Sequence, residues 1–566
     1  MVSVAQKETV NPTVVFKSMS QSPPNQDPLG CKPPLRSWVP RLLDRFYQGL
    51  INHSSLLMGL VAGATFLGML GIRLYLITAY IPDLGGVESN VIYSLQRILD
   101  SYPLYADPAN PPYSITQYTP LYYHLCWMVG RLVGVEAANV HHVYMLSRSV
   151  SLLLNLLFAS SAFIILRNVF RIRFSLSLLA FVYAFVYLDE ESFSRPDSLF
   201  NLLALLTIGL FLQWLTQQGL RHSRSYLIGA STLAIMAIFA KQSAVYLPVL
   251  LLFYLVFYLQ NHRWTLTALL TMAITFGLLL TLTAQGNFHA FWQNVVQGVN
   301  NGVSVSWFMK RIMVEHFQKE RFLNIIGLFC GLFFLAQGKS HTFRFLGLSI
   351  ISSFAFALIT SFKIGAAPNY FTEFITLTLI ATVLLITSHG PTVNQSLPKN
   401  ENKGAPSCAP LFYLILVIFT LPPRFGGKFV KKVVEANDIG KSGYVANQAV
   451  SDFLYQEKDL QPSEQVFVTT HVHDYLNKFL YRNVIFPQKE IVMANPLQAY
   501  DYRSFWQATD EGQVRYIIAS LSEGHVDTTQ SHQMVKFNFL GADFSSYVPI
   551  KQLGDFVVFE HQGLLP

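Results

Sequence analysis

The chain has 566 residues, of which 52% are hydrophobic, 14% aromatic and only 13% charged. Average soluble domains carry about 25% charged residues, so the deficit excludes an ordinary soluble protein. The formal net charge is +8, and the basic residues sit at the ends of apolar runs rather than in one patch, which argues against a nucleic-acid partner.

In chain order, the first 50 or so residues are polar and Pro-containing, with Arg36, Arg41 and Arg45 ahead of the first apolar run. No short charged start followed by an apolar core is present, so no cleavable signal peptide is expected. Apolar runs long enough to approach the roughly 20 residues of a membrane helix then recur. They lie at about 56–79, 143–166, 174–189, 197–216, 225–240, 243–260, 264–283, 321–336, 343–361, 371–387 and 409–422. This predicts a mainly α, polytopic bundle of about eleven spans.

Basic residues mark one side of that bundle. Arg167, Arg171 and Arg173 follow the second run, Arg221 and Arg224 the fourth, and Arg263, Lys339, Arg344, Lys399 and Lys403 the later turns. By the positive-inside rule these turns are cytoplasmic, which puts the N-terminus in the cytoplasm and the C-terminus outside. The loop at about 284–320 is an exception, because it carries Lys310, Arg311 and Lys319 on the outer side. Those charges either count against the topology or meet an anionic substrate.

Between the first two spans lies a long external segment, about 80–142. Within it, 89–100 has an apolar face of Val91, Ile92, Leu95, Ile98 and Leu99 opposite Gln96, Arg97 and Asp100. This is the pattern of an amphipathic helix at the membrane interface. The apolar stretch 115–134 reads the same way, since a span there would invert everything downstream. From about 423 the composition turns soluble: 465–469, 516–519 and 557–559 read as strands, 474–480 and 502–508 as helices. The expected layout is a polar cytoplasmic segment over 1–54, a membrane domain over 55–422 and an external α/β domain over 423–566, large enough for its own core.

Candidate functional residues lie at the outer ends of the spans. Asp83 and Glu88 flank Gly85-Gly86 in the first external loop, ahead of a tyrosine-rich stretch that includes Tyr118 and Tyr122. Acids beside a membrane are costly unless paired, solvated or used. Glu88 either takes a proton from a nucleophile, helped by the helix dipole, or merely caps the 89–100 helix. In the turn at 188–197, Arg195 either binds a phosphate or holds Asp197, which also suits the first turn of the next helix. Lys241, between two spans, either neutralises a lipid phosphate or snorkels to water. At 363–373, Asn369, Tyr370 and Glu373 form either a sugar-binding edge or an ordinary helix start. His471 and His473 have no third ligand at metal spacing and read as structural or surface residues. The four cysteines show neither metal nor redox spacing. Asp83, Glu88 and Asp197 are the one set that could share a divalent cation, Mg or Mn.

Taken in order, these features resemble the bacterial GT-C glycosyltransferases, in particular the family-39-like and aminoarabinose-transferase-like group. They are the acidic first loop, the Tyr118-Thr119-Pro120-Leu121-Tyr122-Tyr123 segment, Arg195-Pro196-Asp197, Lys241, and Asn369-Tyr370 with Glu373. The resemblance covers about 55–390 in motifs and the tail only in architecture. It implies a polyprenyl-phosphate-linked sugar donor, with an acceptor that is a lipid, glycan or protein on the outer face. It implies Glu88 as base with Asp83 as alternative, Asp197 as the acid at the foot of the fourth span, and Lys241 on the lipid phosphate. The chain departs from the group's pattern in separating Asp83 from Glu88, where adjacent acids are usual, and in lacking a lysine near 118–120. Transfer would invert the sugar's anomeric centre. A transporter or flippase of lipid-linked saccharides is the competing class, but the acids sit at span ends rather than at the midplane. A membrane anchor for a working tail is a third.

Overall fold

The computed structural model describes residues 59–84, 87–188, 193–217, 223–284, 286–337, 340–388, 427–470, 475–488, 500–529 and 532–564. Residues 54–566 form one compact unit. The expected span at 409–422, His471 and His473, and Gly85-Gly86 lie outside the described residues.

Among the described residues, seven helices are long and apolar enough to cross a membrane: α1 (Gly59–Thr78), α4 (Val140–Val169), α6 (Asp197–Thr216), α7 (Ser223–Ala240), α9 (His262–Thr283), α13 (His341–Thr360) and α14 (Pro368–Thr387). Three shorter apolar helices join them, α5 (Phe174–Tyr187), α8 (Gln242–Tyr258) and α12 (Arg321–Ala336). These ten coincide with the first ten predicted runs, and the chain is an integral membrane protein. Burial follows position. α6 and α14 are 78% buried along their apolar windows and form the bundle centre, whereas α9 is 11% buried and presents Leu266, Leu270, Ile274 and Leu282 outward, as a lipid-facing helix does.

The segment between α1 and α4 contains two helices, α2 (Glu88–Leu99) and α3 (Leu121–Val133). α3 exposes Trp127, Met128, Leu132 and Val133, the outward apolar edge expected of an interfacial helix. α2 differs from expectation, because all twelve of its residues are buried, polar side included. The polar side is covered mostly by the C-terminal region: Gln96 donates from Nε2 to the Lys478 carbonyl, and also to that of Ala137 just before α4, and Asp100 accepts from Arg482 and Tyr481. A helix with an apolar and a polar face can lie on a membrane or between two protein layers, and α2 does the latter. Two further helical segments, α10 (288–297) and α11 (305–317), occupy the loop after α9.

Beyond the membrane helices comes α15 (Gly427–Asp452), then α16 (Leu476–Phe479) and α17 (Arg503–Asp510). A five-stranded sheet has the order β2-β1-β3-β7-β6, formed by β1 (Gln465–Val468), β2 (Val484–Ile485), β3 (Val514–Ser520), β6 (Tyr547–Leu553) and β7 (Phe556–His561). β2, β1 and β3 run parallel, while β7 is antiparallel to both β3 and β6. β4 (Val526–Asp527) and β5 (Met534–Val535) pair separately. Phe467, Phe486, Phe505, Phe539 and Phe544 pack in one core, and Tyr113 of the first loop enters it, stacked on Phe486 with centroids 4.7 Å apart. The loop and the sheet therefore share a core. That is why the loop can be long and yet ordered.

Candidate active site

The acidic loop is pinned from beneath by Arg148 of α4. Its Nε and Nη2 each lie 2.8 Å from one Glu88 oxygen, and both side chains are completely buried. The same guanidinium donates to the carbonyls of Leu76, Ala79 and Ile81. A buried bidentate pair of this kind satisfies both carboxylate oxygens and closes the end of α1 on the start of α2. The two acids also brace the loop: the Leu84 N–H donates to Glu88 Oε2, and the Glu88 N–H donates to Asp83 Oδ1 at 3.3 Å. Asp83 thus caps α2, and unlike Glu88 it keeps partial exposure. The expectation of Glu88 as the proton acceptor meets a physical obstacle, since its carboxylate is buried and shared with a guanidinium. Arg148 was missed in the sequence, although an arginine within an apolar run is itself a signal.

A second polar cluster gathers where α6, α8 and α14 begin. Asp197 is buried and accepts on Oδ1 from Lys241 Nζ and from Asn369 Nδ2, each at 2.5 Å, while Arg195 Nε lies 3.3 Å from Oδ2. Lys241 is also buried, its ammonium 4.3 Å from the Tyr370 ring centroid. Glu373, one helical turn beyond Asn369, is buried and interacts electrostatically with Lys241 and Asp197. Tyr118 interacts with Arg195, Asp197, Lys241 and Tyr370, and burial raises its pKa above the usual value. Five separate stretches of sequence therefore meet here: 118, 195–197, 241, 363 and 369–373.

Two glutamines tie the cluster to its surroundings. Gln242 Nε2 donates to the carbonyls of Gln117 and Val295, and Gln117 Nε2 donates to that of Gly298. Lys363, at the start of the 363–373 segment, adds a cation to which no role was assigned from the sequence. Burial, reinforced by the nearby Lys241 charge, lowers its ammonium pKa to about 8, and no ion pair to an acid forms among the described residues. Buried polar atoms on the surrounding segments that have no hydrogen-bond partner among the described residues include Thr119 Oγ1, Ser194 Oγ, Ser243 Oγ, Tyr246 Oη, Asn301 Oδ1, Asn369 Oδ1 and Glu373 Oε1. Native interiors leave few such atoms, and each one costs about 1–3 kcal/mol if nothing meets it.

Other expectations land elsewhere. The Tyr122 hydroxyl bonds Ser147 and Ser151 of α4, which makes it a packing residue inside the bundle rather than a member of the Lys241 cluster. The charges at 310–319 lie on α11 and just beyond it, where Arg311 pairs with Glu315 at 2.8 Å. Of the expected cation set, Glu88 is already neutralised by Arg148 and Asp197 by Lys241 and Arg195, which leaves Asp83 alone among these three acids. No group of three or more His, Cys, Asp or Glu that could hold a metal occurs among the described residues.

No protein-family model matches the chain, and no curated protein matches it in sequence. Solved structures do match. ArnT from Cupriavidus metallidurans bound to undecaprenyl phosphate superposes with a TM-score of 0.51 at 14% identity, over 89% of this chain and 97% of that one. The apo state of ArnT gives 0.51 at 13% identity, over 88% and 98%. The apo oligosaccharyltransferase of Archaeoglobus fulgidus gives 0.49 at 12% identity, over 82% and 70%. Over 89% of its length, this chain has the fold of ArnT.

Proposed function

We propose that this chain is a membrane glycosyltransferase that uses a polyprenyl-phosphate-linked sugar and an acceptor on the outer face of a bacterial plasma membrane. The N-terminus is cytoplasmic, and the α/β domain is external. The observation that carries the reading is the meeting of Arg195, Lys241 and Asn369 on Asp197, with Lys363 close enough to Lys241 for their charges to interact, at the ends of membrane helices and in an ArnT-like fold. A lipid-linked donor brings its phosphate to that level of the membrane. Three cations against the Asp197 and Glu373 carboxylates suit an anion whose charge grows as the bond to the sugar breaks. ArnT was solved with undecaprenyl phosphate bound, which supports this donor class.

In the reaction, an acceptor hydroxyl oxygen attacks the anomeric carbon. The bond from that carbon to the phosphate oxygen breaks, and polyprenyl phosphate leaves with the bonding electrons. Inversion follows if attack and departure are in line. The hydroxyl proton goes to a carboxylate, and we assign that role to Asp83 rather than Glu88. Glu88 is committed to Arg148, whereas Asp83 caps α2 and remains partly exposed. Asp197 acts indirectly by holding Lys241 and Asn369 in position. The unpartnered oxygens of Thr119, Ser243, Asn301 and Asn369 are suited to sugar hydroxyls. No step requires a metal.

The test is a transfer assay with purified chain in liposomes and a panel of polyprenyl-phosphate monosaccharides, followed by detection of free polyprenyl phosphate. Wild type releases it with at least one donor, and Lys241→Met raises the donor KM. Movement of an intact labelled donor across the bilayer with no phosphate release would overturn the reading in favour of a flippase.

A further inference from the structure

The segment that carries Asp83 is held from above by a helix more than 350 residues away in sequence. A Cβ added to Gly440 of α15 would lie 1.5 Å from the Tyr80 carbonyl oxygen and 2.7 Å from its carbon. Both are backbone atoms, so no side chain could rotate away. Glycine is a poor residue for a helix interior, and it is accounted for here by the close approach of two backbones. The same face of α15 makes two further contacts with the segment. The Tyr80 N–H donates to Asn437 Oδ1 at 2.7 Å, and Tyr444 packs edge-on against Tyr80 with centroids 5.1 Å apart.

On its other side Tyr80 stacks on His141 of α4, centroids 4.1 Å apart and rings nearly parallel. Two residues on, the Pro82 carbonyl accepts from Tyr144 Oη at 2.7 Å, and Tyr144 in turn packs against Tyr475. Tyr80 to Pro82 is thus gripped between α4 and α15, and Asp83 is the next residue.

We infer that Gly440 is a positioning residue: by letting α15 seat against the Tyr80 carbonyl, it fixes the height of the loop that presents Asp83. The role of Asp83 rests on the proposed function; the seat itself does not. At catalytic centres, misplacement by about 1 Å can cost about 100-fold, so a methyl group at this contact is expected to act on turnover.

The experiment uses the full chain in detergent and compares wild type, Gly440→Ala and Gly443→Ala. Gly443 lies one turn further along the same helix, where an added Cβ meets nothing within 4 Å. Amide hydrogen exchange over 80–84 is expected to rise at least tenfold in Gly440→Ala and to stay at the wild-type level in Gly443→Ala. Equal exchange in all three proteins overturns the inference. Should Gly440→Ala fail to fold, Asn437→Leu and Asn437→Asp probe the same seat without adding bulk against the carbonyl. Exchange must then rise for the leucine and be retained for the aspartate, which keeps the acceptor, and no difference between them overturns the inference. In the transfer assay, Gly440→Ala lowers kcat with the donor KM unchanged, a split that general destabilisation does not produce. Exchange that separates the two alanine variants while no protein, wild type included, transfers sugar leaves the positioning intact and rejects the glycosyltransferase reading alone.

Discussion

Glu88 and Asp197 are both buried acids at the first residue of a helix, and both are held by basic side chains. Their surroundings differ. Glu88 meets one arginine that takes both its oxygens and spends its remaining donors on the carbonyls of Leu76, Ala79 and Ile81. Asp197 meets a lysine, an arginine and an asparagine drawn from three different stretches, with a further lysine and several unpartnered polar oxygens nearby. The first arrangement is closed, since its donors and acceptors match each other. The second is open, because several of its polar oxygens meet no donor among the described residues. A closed buried pair holds structure together, whereas an open one has capacity left for a ligand.

The comparison breaks most visibly at Arg148. Arg148→Met strands a buried carboxylate and three carbonyls, and loss of one partner of a buried pair costs about 3–5 kcal/mol. The expected result is loss of monodisperse protein on size exclusion in detergent. Survival at wild-type yield would show that the pair is not what closes the loop. Lys241→Met comes next. Arg195 and Asn369 remain to hold Asp197, so the protein is expected to fold, with donor kcat/KM down about 10–100-fold, equivalent to about 1.4–2.8 kcal/mol. An unchanged kcat/KM would make the second cluster as structural as the first.

Lys363 sharpens the contrast through pH. Its pKa is lowered to about 8, so the folded chain disfavours the charged form, and its cost to stability is relieved as pH rises through 8. Its charge, and with it attraction for a phosphate, is lost over the same range. Donor kcat/KM is therefore expected to fall above about pH 8, and Lys363→Arg is expected to remove that limb. The smallest effect concerns the clamp on α2. Burial alone would raise the Asp100 pKa, but the Arg482 guanidinium and Tyr481 hydroxyl outweigh it and hold the carboxyl below its usual value. The pair is half exposed, so Arg482→Ala is expected to cost at most about 1 kcal/mol in thermal unfolding.

Much of the bundle was legible because hydrophobic runs report directly on membrane helices. The ten runs from 56–79 to 371–387 all became helices, and 465–469, 516–519 and 557–559 became strands. The site was legible residue by residue: Asp197, Lys241, Asn369, Tyr370 and Glu373 were each singled out for lying at span ends, and they do converge. Their pairing was not legible, because which carboxylate faces which cation depends on helix packing. Thus Glu88 ranked ahead of Asp83 as the base in the sequence, because nothing there shows that Arg148 lies beneath Glu88. Tyr122 looked like Tyr118, four residues away, yet Tyr118 precedes α3 whereas Tyr122 lies on it and faces Ser147 and Ser151. The burial of α2 was hidden for another reason. An amphipathic pattern specifies a polar face but not what covers it, and here the cover comes from Lys478, Tyr481 and Arg482, nearly 400 residues downstream. The Gly440 contact with Tyr80 is of the same long-range kind.

The central claim is that the two acids of the first loop divide the work, with Glu88 building the loop and Asp83 accepting the proton. Turnover per folded molecule in the liposome assay tests it most directly, comparing Asp83→Asn with Glu88→Gln after each has been normalised to protein that runs as a single species. The account predicts that Asp83→Asn folds like wild type and loses about 10²–10⁴-fold in kcat, the usual worth of a general base. It predicts that Glu88→Gln gives less folded protein, with turnover per folded molecule close to wild type. Full turnover in Asp83→Asn beside a folded but inactive Glu88→Gln would contradict it.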